Sequence, residues 1–439
     1  MIVMKFGGSS VSDAARIERV VGIVRKRLRQ KPILVVSAFR GVTDELLALA
    51  REARGGRLAR LDGVEARHRE AAAALGVPAA AIEPLLKDLR ELARGISLLR
   101  EASPHALDRA ASFGERLSAR LIAAAFEKAG IPAQACDAPA LGLVTNDRFG
   151  CADPLPEAEA ALRRGLARVK ALPVVTGFIG RTKNGEITTL GRNGSDYSAT
   201  ILGAAAGCSE VQIWSDTDGV MTADPRIAPK ALPLERLSFA EAGELAYYGG
   251  KVLHPHTLVP AIRKKIPVRV LNTFKPDHPG TRILAGRAAE AGVKSIAFKR
   301  GQIIVTVASP DMLMRHGFLA RIFEVFARHE ISLNMVTTSE VSVSMTVDTP
   351  RHLDAAAREL SREFQVKIEP KKAVICAVGE GIRSTPGVAA SVFGAIKRAG
   401  INVLMISQGA SKINVAFIVE EKDVERSVRA LHRQFFEGR

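Results

Sequence analysis

The sequence predicts an α/β protein in which a mainly parallel sheet covered by helices is followed by a tandem repeat of smaller modules. The first observation is an apolar strand, IVMKFGG, that leads through a glycine turn into a helix-spaced segment and a second apolar strand, PILVVSA. This order is typical of a parallel strand–helix–strand unit. The second observation is that residues 317–335 align with residues 387–405 at a constant offset of 70. A fixed period indicates two copies of one structural module.

Between these two features the chain is first helical and then alternates between strands and helices. Residues 44–130 are rich in Ala, Leu, Arg and Glu and lack a strand-like run, so we expect them to form helices. The small-residue segment 199–207 is predicted as a further helix. Four apolar runs are predicted as strands, at 172–180, 186–191, 211–216 and 266–272. Together these elements predict one α/β domain over residues 1–285.

Each copy of the repeat has a strand before its helix and an alternating strand after it, as in IIVTVA and VSVSMTV around the first helix. Each module therefore reads strand–helix–strand–strand, and we expect a second helix to close it. The modules are predicted to cover residues 300–370 and 371–439. Because a module of about 70 residues buries too little surface for a large core, we expect the two to pack on one another and on a second chain.

Composition and charge argue against several classes of protein. The formal net charge is +17, with nine Lys or Arg against two Asp or Glu in residues 1–40 and eleven against two in residues 251–300. Aromatic residues are only 5% of the chain and do not interleave with these basic segments, so we expect no nucleic-acid partner. No apolar run reaches the roughly 20 residues of a membrane-spanning helix, and no signal peptide is evident. The scattered cysteines fit a reducing cytosol, so we expect a cytoplasmic protein.

Two glycine-rich turns are candidates for binding phosphate. KFGGSS closes a strand and opens a helix, so backbone N–H groups and a helix N-terminus face the turn. Its spacing differs from the P-loop pattern, which excludes a P-loop NTPase. TTLGRNGSDYSA has the same strand–turn–helix order and places Arg192 after a glycine, where a guanidinium suits bidentate binding of a carboxylate or phosphate. A structural turn and a capped helix are the alternative interpretations.

Three further motifs carry polar side chains. SFGERLSA holds Glu115 beside Arg116, and composition alone favours a surface ion pair there. WSDTDGVMTADPR places three aspartates and an arginine in a loop after a strand. KVLHP contains Lys251, while His254 and His256 lack the spacing of a metal-ligand pair, so no metal-binding residue is predicted.

Taken together, five segments resemble the aspartate kinases (aspartokinases), a branch of the amino acid kinase family. They occur in the order and at the spacing of that family, and they are KFGGSSV, SFGERLS, TTLGRNGSDYSA, WSDTDGVMTADPR and GGKVLHP. The repeats resemble the paired ACT domains of the family, and the resemblance covers nearly the whole chain. It implies an amino acid kinase fold, with a mainly parallel sheet sandwiched by helices, followed by two ferredoxin-like ACT domains.

The resemblance also implies an activity and the residues that perform it. The reaction is ATP-dependent phosphorylation of the L-aspartate side-chain carboxylate to 4-phospho-L-aspartate, which begins lysine, threonine and methionine biosynthesis. Lys5 would stabilise the transferring γ-phosphoryl group, and Asp196 would orient Lys5. Glu115 would bind the substrate ammonium group and Arg192 its α-carboxylate. The substrate-binding residues so implied are Thr43, Glu115, Arg192 and Ser195.

The same resemblance implies a nucleotide site. The residues it assigns to ATP are Lys5, Gly7, Gly8, Ser9, Ser37, Ser215, Asp216, Arg226 and Lys251. Mg²⁺ would bridge phosphate oxygens and need few protein ligands. Ser9 stands where the family commonly has threonine, and Asn193 stands where glycine is frequent. Met221 stands where some members have tyrosine, so a stacking contact with the nucleotide is in question.

Regulation and assembly follow from the ACT modules. The effector residues implied are Met312, Gly317, Phe318, Leu319, Ser332, Asn334, Thr338 and Ser339. Asn334 stands where lysine-inhibited members carry an aspartate, so threonine, lysine, another effector or none remain open. We expect a homodimer or homotetramer formed through the ACT modules, since exposed sheet edges favour partners.

Two alternative functions remain besides the aspartate kinase interpretation. Another kinase of the family, acting on glutamate, N-acetylglutamate or UMP, is disfavoured by the SFGERLS segment and by the tandem repeats. A catalytically silent amino-acid sensor is the other alternative. It would have no use for the intact set of Lys5, Glu115, Arg192 and Asp196.

Overall fold

The chain forms two compact units that are each assembled from separate segments. The computed structural model describes residues 1–56, 61–249, 254–286, 292–312, 316–348, 350–409 and 413–437. The first unit comprises Met1–Val220, Glu235–Phe239 and Val252–Gly286. The second unit comprises Met221–Leu234, Ala240–Lys251 and Arg287–Arg439.

The first unit is built on a mainly parallel sheet. Its strands within the described residues are β1 (Ile2–Phe6), β2 (Pro32–Val36), β3 (Ala133–Cys136), β4 (Leu172–Thr176), β5 (Ile179–Arg181), β6 (Ile187–Thr189), β7 (Glu210–Ser215), β8 (Arg236–Ser238), β9 (Val268–Asn272) and β10 (Thr281–Leu284). Eight of them form one sheet in the order β3-β4-β2-β1-β7-β9-β10-β8. Neighbours are parallel except β9 and β10, and β5 and β6 form a separate antiparallel pair.

The central strands explain the continuous apolar runs of the sequence. Every residue of β1 and β2 is buried, as expected for a parallel sheet with helices on both faces. Because β1, β2, β4, β7 and β9 are parallel, their carboxyl ends meet at one edge of the sheet, where ligands bind in open α/β folds. Lys5 lies near that edge, in register with Val35 on β2 and Ile213 on β7.

The predicted helical segments are present, and four further helices, at 138–141, 158–167, 239–247 and 255–264, were not predicted. The helices are α1 (Gly8–Val11), α2 (Ala14–Arg25), α3 (Val42–Ala53), α4 (Asp62–Leu75), α5 (Glu83–Leu99), α6 (Pro104–Lys128), α7 (Ala138–Leu141), α8 (Ala158–Ala167), α9 (Gly194–Ala206), α10 (Phe239–Tyr247) and α11 (Pro255–Lys264). Asp13 caps α2 by accepting a hydrogen bond from the backbone N–H of Arg16 at 2.9 Å. Ser103 caps α6 ahead of Pro104. The predicted helical block is confirmed by α3 to α6.

One predicted strand is wrong in detail, and three strands were not predicted. The run 172–180 forms two strands, β4 and β5, because the chain turns at Gly177 and Phe178, where Phe178 has a φ of 67°. The strands β3, β8 and β10 are short. In β3 only Cys136 is buried, so its sequence carries no apolar alternation.

The described residues of the second unit form one antiparallel sheet. Its strands are β11 (Ser295–Ala308), β12 (Val336–Thr338), β13 (Ser342–Val347), β14 (Gln365–Val378), β15 (Met405–Ser407) and β16 (Asn414–Glu420). Its further helices are α12 (Phe318–Arg328), α13 (Leu353–Leu360), α14 (Val388–Arg398) and α15 (Val424–His432). The strand order is β12-β13-β11-β14-β16-β15. The two modules therefore lie side by side in one sheet, and α13 and α15 close them.

The second module takes one of its strands from a segment outside its own sequence. The part of β11 at 304–308 pairs with 365–369 of β14, whereas the part at 295–299 pairs with 374–378. The sheet of the second module is thus completed by a segment that precedes the first module. The limits 300–370 and 371–439 remain a prediction, and residues 295–299 lie outside them.

Both modules have their own apolar core. The core of the second module also includes Ala223, Ile227 and Ala228, from a segment that follows β7 in the chain. The first module has a separate core, to which Phe326 and Met345 contribute fully buried side chains. None of the helices in the described ranges combines the length and apolar character that crossing a bilayer requires.

Candidate active site

A cleft of about 640 Å³ opens within the first unit at the carboxyl edge of the sheet. The predicted residues that line it are Lys5, Gly8, Ser37, Thr43, Glu115, Arg192, Ser195 and Asp196. These residues come from β1, the start of α1, the loop after β2, α3, α6, the turn before α9 and the first turn of α9. The side chains that were predicted to bind substrate therefore share one cavity.

Lys5 and Asp196 form a buried ion pair at the floor of the cleft. The Nζ atom of Lys5 lies 2.6 Å from Oδ1 of Asp196, and the two side chains are 11% and 8% exposed. Lys5 is the fourth residue of β1, and Asp196 is in the first turn of α9. The carboxylate therefore holds the ammonium group in a fixed place, beside a helix N-terminus that itself favours negative charge.

The turn after β1 brings backbone close to the loop after β2. A Cβ atom added to Gly8 would lie 2.8 Å from the carbonyl oxygen of Ala38, so a side chain does not fit there. Gly7 donates a backbone hydrogen bond to Trp214 on β7 at 3.1 Å. Ser10 exchanges a 2.7 Å hydrogen bond with the Thr273 hydroxyl. The turn is therefore fixed against three neighbouring segments.

Glu115 is a buried carboxylate that faces the cleft, and the surface ion pair favoured by composition is wrong. Glu115 is 3% exposed, and its neighbour Arg116 pairs with Asp137 instead, at 3.3 Å. Within the described residues, Oε2 of Glu115 has no hydrogen-bond partner. Burial raises the pKa of Glu115 to about 8, although the Ala38 N–H bond and the charge of Lys5 lower it. A bound cation would relieve this cost.

The Arg192 turn presents an exposed guanidinium. Gly191 and Asn193 both have left-handed φ values, of 74° and 56°, and Asn193 precedes the first residue of α9. Arg192 makes no ion pair with any residue that the structure describes. Ser195 is buried against Gly177, where an added Cβ would lie 2.6 Å from that of Ser195. The turn thus offers one free donor group and one hydroxyl to the cleft.

Sequence reasoning missed several residues that line the cleft. They are Ala38, Phe39, Arg40, Asp44, Arg51, Asp108, Phe149, Phe178 and Thr189, among others. Asp108 had a detectable signal, because it precedes Glu115 by seven residues on a helix and so lies on nearly the same face. Phe178 carried no such signal, because a left-handed backbone conformation is usually indicated by a glycine and this position has a phenylalanine.

Two further ATP residues of the first unit lie at the same sheet edge but do not line this cavity. Ser215 ends β7, and its hydroxyl lies 3.1 Å from that of Thr217. Asp216 follows it and is exposed. In the second unit, Arg226 pairs with Asp224. Lys251 lies outside the described residues.

Of the remaining ATP residues, Gly7 and Ser9 flank Gly8 in the turn after β1 without lining the cavity.

The effector residues belong to the first module of the second unit. Asn334 donates hydrogen bonds to Asp348 at 2.7 Å and Gln302 at 3.2 Å, and it accepts one from the Tyr247 hydroxyl at 2.8 Å. The effector assignment stays a prediction.

A cleft of this kind at the edge of a parallel sheet, with a lysine held by an aspartate beside a glycine turn, suits transfer of a phosphoryl group to a small acid. Comparison with protein families agrees. The model of the amino acid kinase family matches residues 1–272, and the ACT domain model matches residues 305–364 and 375–435. The chain therefore belongs to the amino acid kinase family.

Relatives within that family include aspartokinases. The chain is 39% identical to aspartokinase 2 of Arabidopsis thaliana chloroplasts, over 99% of this chain and 84% of the relative. It is 36% identical to lysine-sensitive aspartokinase 3 of Escherichia coli K12, over 100% of this chain and 99% of the relative. The crystal structure of E. coli aspartokinase III with aspartate and ADP superposes with a TM-score of 0.87 at 36% identity, over 99% of this chain and 100% of that one. The predicted family and fold are confirmed.

Proposed function

We propose that this protein transfers the γ-phosphoryl group of ATP to the side-chain carboxylate of L-aspartate, giving 4-phospho-L-aspartate. The observation that carries the proposal is the convergence of Lys5, Asp196, Glu115 and Arg192 on one cleft. The similarity to aspartokinases, which extends over nearly the whole chain, also supports the proposal. The reaction would begin the synthesis of lysine, threonine and methionine from aspartate.

The main obstacle to this reaction is repulsion between the attacking carboxylate and the polyphosphate. Lys5 would neutralise the transferring phosphoryl group as negative charge gathers on its oxygens, and Asp196 would keep the Lys5 ammonium in place. The glycine turn after β1 would let backbone N–H groups approach the same oxygens. Most of the rate enhancement would then come from positioning and charge neutralisation.

Recognition of aspartate would depend on two charges at the cleft wall. Glu115 would accept the ammonium group, and the guanidinium of Arg192 would hold the α-carboxylate through two hydrogen bonds. Thr43 and Ser195 would add hydroxyl contacts. The buried Oε2 atom of Glu115, which has no partner in the described part of the chain, supports the first assignment. An acid that lacks the ammonium group would leave that carboxylate uncompensated.

The nucleotide would enter along the same sheet edge. Its phosphates would contact Gly7, Gly8 and Ser9, and Ser37, Ser215, Asp216, Arg226 and Lys251 would complete the site. The described residues contain no group of three His, Cys, Asp or Glu side chains that could hold a metal ion. Mg²⁺ would therefore be carried by the phosphate oxygens, as is usual for this ion, and would supply further charge neutralisation there. Asp196 would help to orient these phosphates as well as Lys5.

The second unit would regulate the first. E. coli aspartokinase III has been crystallised with lysine and aspartate, in a structure that superposes on this chain with a TM-score of 0.80. We propose that an amino acid binds the first module here, with threonine and lysine as the candidates.

Exposed apolar residues on the two edge strands, such as Val336 and Ile406, support a homodimer or homotetramer. Four unpaired cysteines support a cytoplasmic location.

The direct test is a turnover assay with ATP, Mg²⁺, L-aspartate and hydroxylamine, which traps the acyl phosphate as the hydroxamate. We expect aspartyl hydroxamate to accumulate, and little product from glutamate or N-acetylglutamate. Product from one of those acids but not from aspartate would move the protein to another branch of the family. No product with any acid would favour a catalytically silent sensor.

The effector is tested in the same assay by adding lysine, threonine and methionine separately. We expect at least one of them to lower aspartate-dependent turnover. Asn334→Asp, which supplies the missing carboxylate, should strengthen inhibition by lysine if this position contacts the effector side chain. An unchanged response to lysine would remove Asn334 from the site.

A further inference from the structure

A second buried carboxylate on α6 faces the cleft. Asp108 and Glu115 are seven residues apart, which is about two helical turns and about 10 Å along the axis. Both are buried, with Asp108 4% exposed, and both line the same cavity. One helix therefore carries the proposed ammonium-binding residue and a carboxylate to which no role has been given.

Asp108 accepts three hydrogen bonds, and all of them come from the segments that flank Arg192. Its Oδ1 accepts from the Thr189 hydroxyl at 2.8 Å. Its Oδ2 accepts from the backbone N–H of Thr189 at 2.8 Å and from that of Gly150 at 2.9 Å. Since an ionised carboxylate only accepts hydrogen bonds, all three donors suit its charged form.

The two segments that Asp108 holds are in contact at the Arg192 turn. Thr189 ends β6, three residues before Arg192. The backbone oxygen of Gly150 lies 3.3 Å from the position that a Cβ atom of Gly191 would take. Gly191 thus contacts the loop that contains Gly150, and it lies two residues after Thr189, the last residue of β6. Asp108 accepts hydrogen bonds from both segments.

Arg192 itself has no comparable restraint. Its side chain is exposed and forms no ion pair with a described residue. The place of its guanidinium is therefore set by the backbone of the turn. That backbone is held by a 2.8 Å hydrogen bond from the Leu190 N–H to the Phe178 carbonyl and by the start of α9, and the residue before Leu190 is held by the hydrogen bonds from Thr189 to Asp108.

We propose that Asp108 is a positioning residue that sets the distance between Arg192 and Glu115. Because Asp108 and Glu115 share one helix, the helix fixes how far the carboxylate-binding group lies from the ammonium-binding group. The ligand that this spacing selects is a short α-amino acid whose two charged groups are on one carbon. The inference rests on the proposed function, in which these two residues bind aspartate.

The first test is Asp108→Asn with steady-state kinetics in both substrates. We expect the KM for aspartate to rise by at least about tenfold, because one or more of the three donors loses its acceptor. The KM for ATP should stay within about twofold. If Asp108 acted only through its negative charge, its removal would favour both anionic substrates and lower both KM values, and that result would overturn the inference.

The second test is a double-mutant cycle with Arg192→Ala. Because Asp108 acts through Arg192, adding Asp108→Asn to Arg192→Ala should change the aspartate KM by less than about twofold. If the rise in the aspartate KM of the double variant equalled the product of the two single-variant rises, Asp108 would act independently of Arg192, and the inference would be overturned. Aspartate affinity measured by calorimetry gives the same cycle if turnover of the double variant is low.

A milder pair of variants covers the case in which Asp108→Asn does not fold. Thr189→Val removes only the hydroxyl bond and should raise the aspartate KM by about threefold, whereas Thr189→Ser keeps the hydroxyl and should restore it. Equal KM values for these two variants would count against the inference.

The matched control is Asp137→Asn. Asp137 binds Arg116 and Arg120, away from the cleft lining, so this change should lower thermal stability and leave both KM values unchanged. A wild-type protein that does not phosphorylate aspartate would overturn the proposed function itself. An active wild type with an unaltered aspartate KM in Asp108→Asn would overturn only the role of Asp108.

Discussion

The two units bury charged side chains for different purposes. In the first unit, Lys5, Asp196, Asp108 and Glu115 are all nearly buried, yet all line an open cleft. In the second unit, Lys294 is 4% exposed and pairs with the fully buried Glu241 at 3.4 Å. Glu241 also accepts a 2.8 Å hydrogen bond from the backbone N–H of Glu380.

The clearest difference is between the partners of Glu115 and those of the buried side chains in the second unit. Glu115 keeps an oxygen without a partner in the described residues, and burial raises its pKa to about 8. In the second unit, His432 is fully buried between Thr222 at 3.0 Å and Glu437 at 2.8 Å, so both ring nitrogens have partners. A buried carboxyl group that awaits a ligand costs stability when it ionises, whereas a buried side chain that already has partners fixes one segment to another.

The largest expected effect comes from removing each buried lysine in turn. Lys5→Met should lower turnover by at least about 10³-fold, because the transferring phosphoryl group loses its cation. Lys294→Met should instead cost about 3–5 kcal/mol of unfolding free energy, because it leaves Glu241 without that cation. Hydroxamate assays and chemical denaturation measure the two effects.

The Lys5→Met and Lys294→Met variants can also show that the comparison between the two units is wrong. Folded Lys294→Met protein should keep turnover within a few-fold of the wild type. If the folded variant were inactive while Lys5→Met remained active, the assignment of buried charge to chemistry in the first unit would be wrong.

The next effect concerns the two buried glutamates. Glu115→Gln should raise the aspartate KM by about 10²-fold, since a neutral amide cannot compensate the substrate ammonium group. Glu241→Gln should leave the aspartate KM unchanged and lower stability. Substrate kinetics at constant ATP, together with thermal melts of both variants, decide between the two roles.

A smaller effect is a proton released when aspartate binds. With a pKa of about 8, Glu115 is mostly protonated in the free protein at pH 7. The substrate ammonium group favours the ionised form, so binding should release about one proton, which calorimetry in buffers of different ionisation enthalpy would measure. No release at pH 7, or an unchanged release in Glu115→Gln, would contradict this role.

The same raised pKa fixes the sign of the pH dependence of stability. The folded, ligand-free protein binds this proton more tightly than the unfolded chain, whose glutamates have ordinary values. The stabilisation is therefore complete at pH values below the unfolded pKa, near 4.5, and is lost as the pH rises through about 8. Glu115→Gln should remove this part of the pH dependence.

The smallest effect lies in the repeats, where only stability should respond. Glu330 and Gly400 occupy corresponding positions after α12 and α14, with left-handed φ values of 54° and 64°. Glu330→Gly should stabilise the protein by about 1 kcal/mol, and Gly400→Ala should destabilise it by a similar amount. Denaturant titration measures both, and turnover should not change. Opposite signs would mean that side-chain contacts outweigh backbone strain.

Much of the fold could be predicted because its signals are local. The first strand, its glycine turn and the second strand need only apolar runs and the conformational freedom of glycine. The repeat needed only the constant offset between residues 317–335 and 387–405. Short strands such as β3 could not be predicted, because four residues with one buried side chain leave no pattern.

The sequence predicted which residues form the site better than it predicted their burial and their contacts. Resemblance to a family gave Lys5, Glu115, Arg192 and Asp196, and the structure brings them to one cleft. Composition suggested that Glu115 pairs with Arg116, and only the packing of α6 shows that it does not. Nothing in the sequence indicated that the three donors around Asp108 come from the end of β6 and from a separate loop.

The sequence by itself determined the order of the elements, the period of the repeat and the residue types available for chemistry. Those properties arise from neighbours along the chain, within a turn of helix or a stretch of strand. Only the tertiary structure decided that residues 295–299 complete the second module and that Glu115 loses contact with water. Both outcomes depend on segments far apart in sequence, because strand pairing and burial are set by whatever surface the folded chain places opposite each residue.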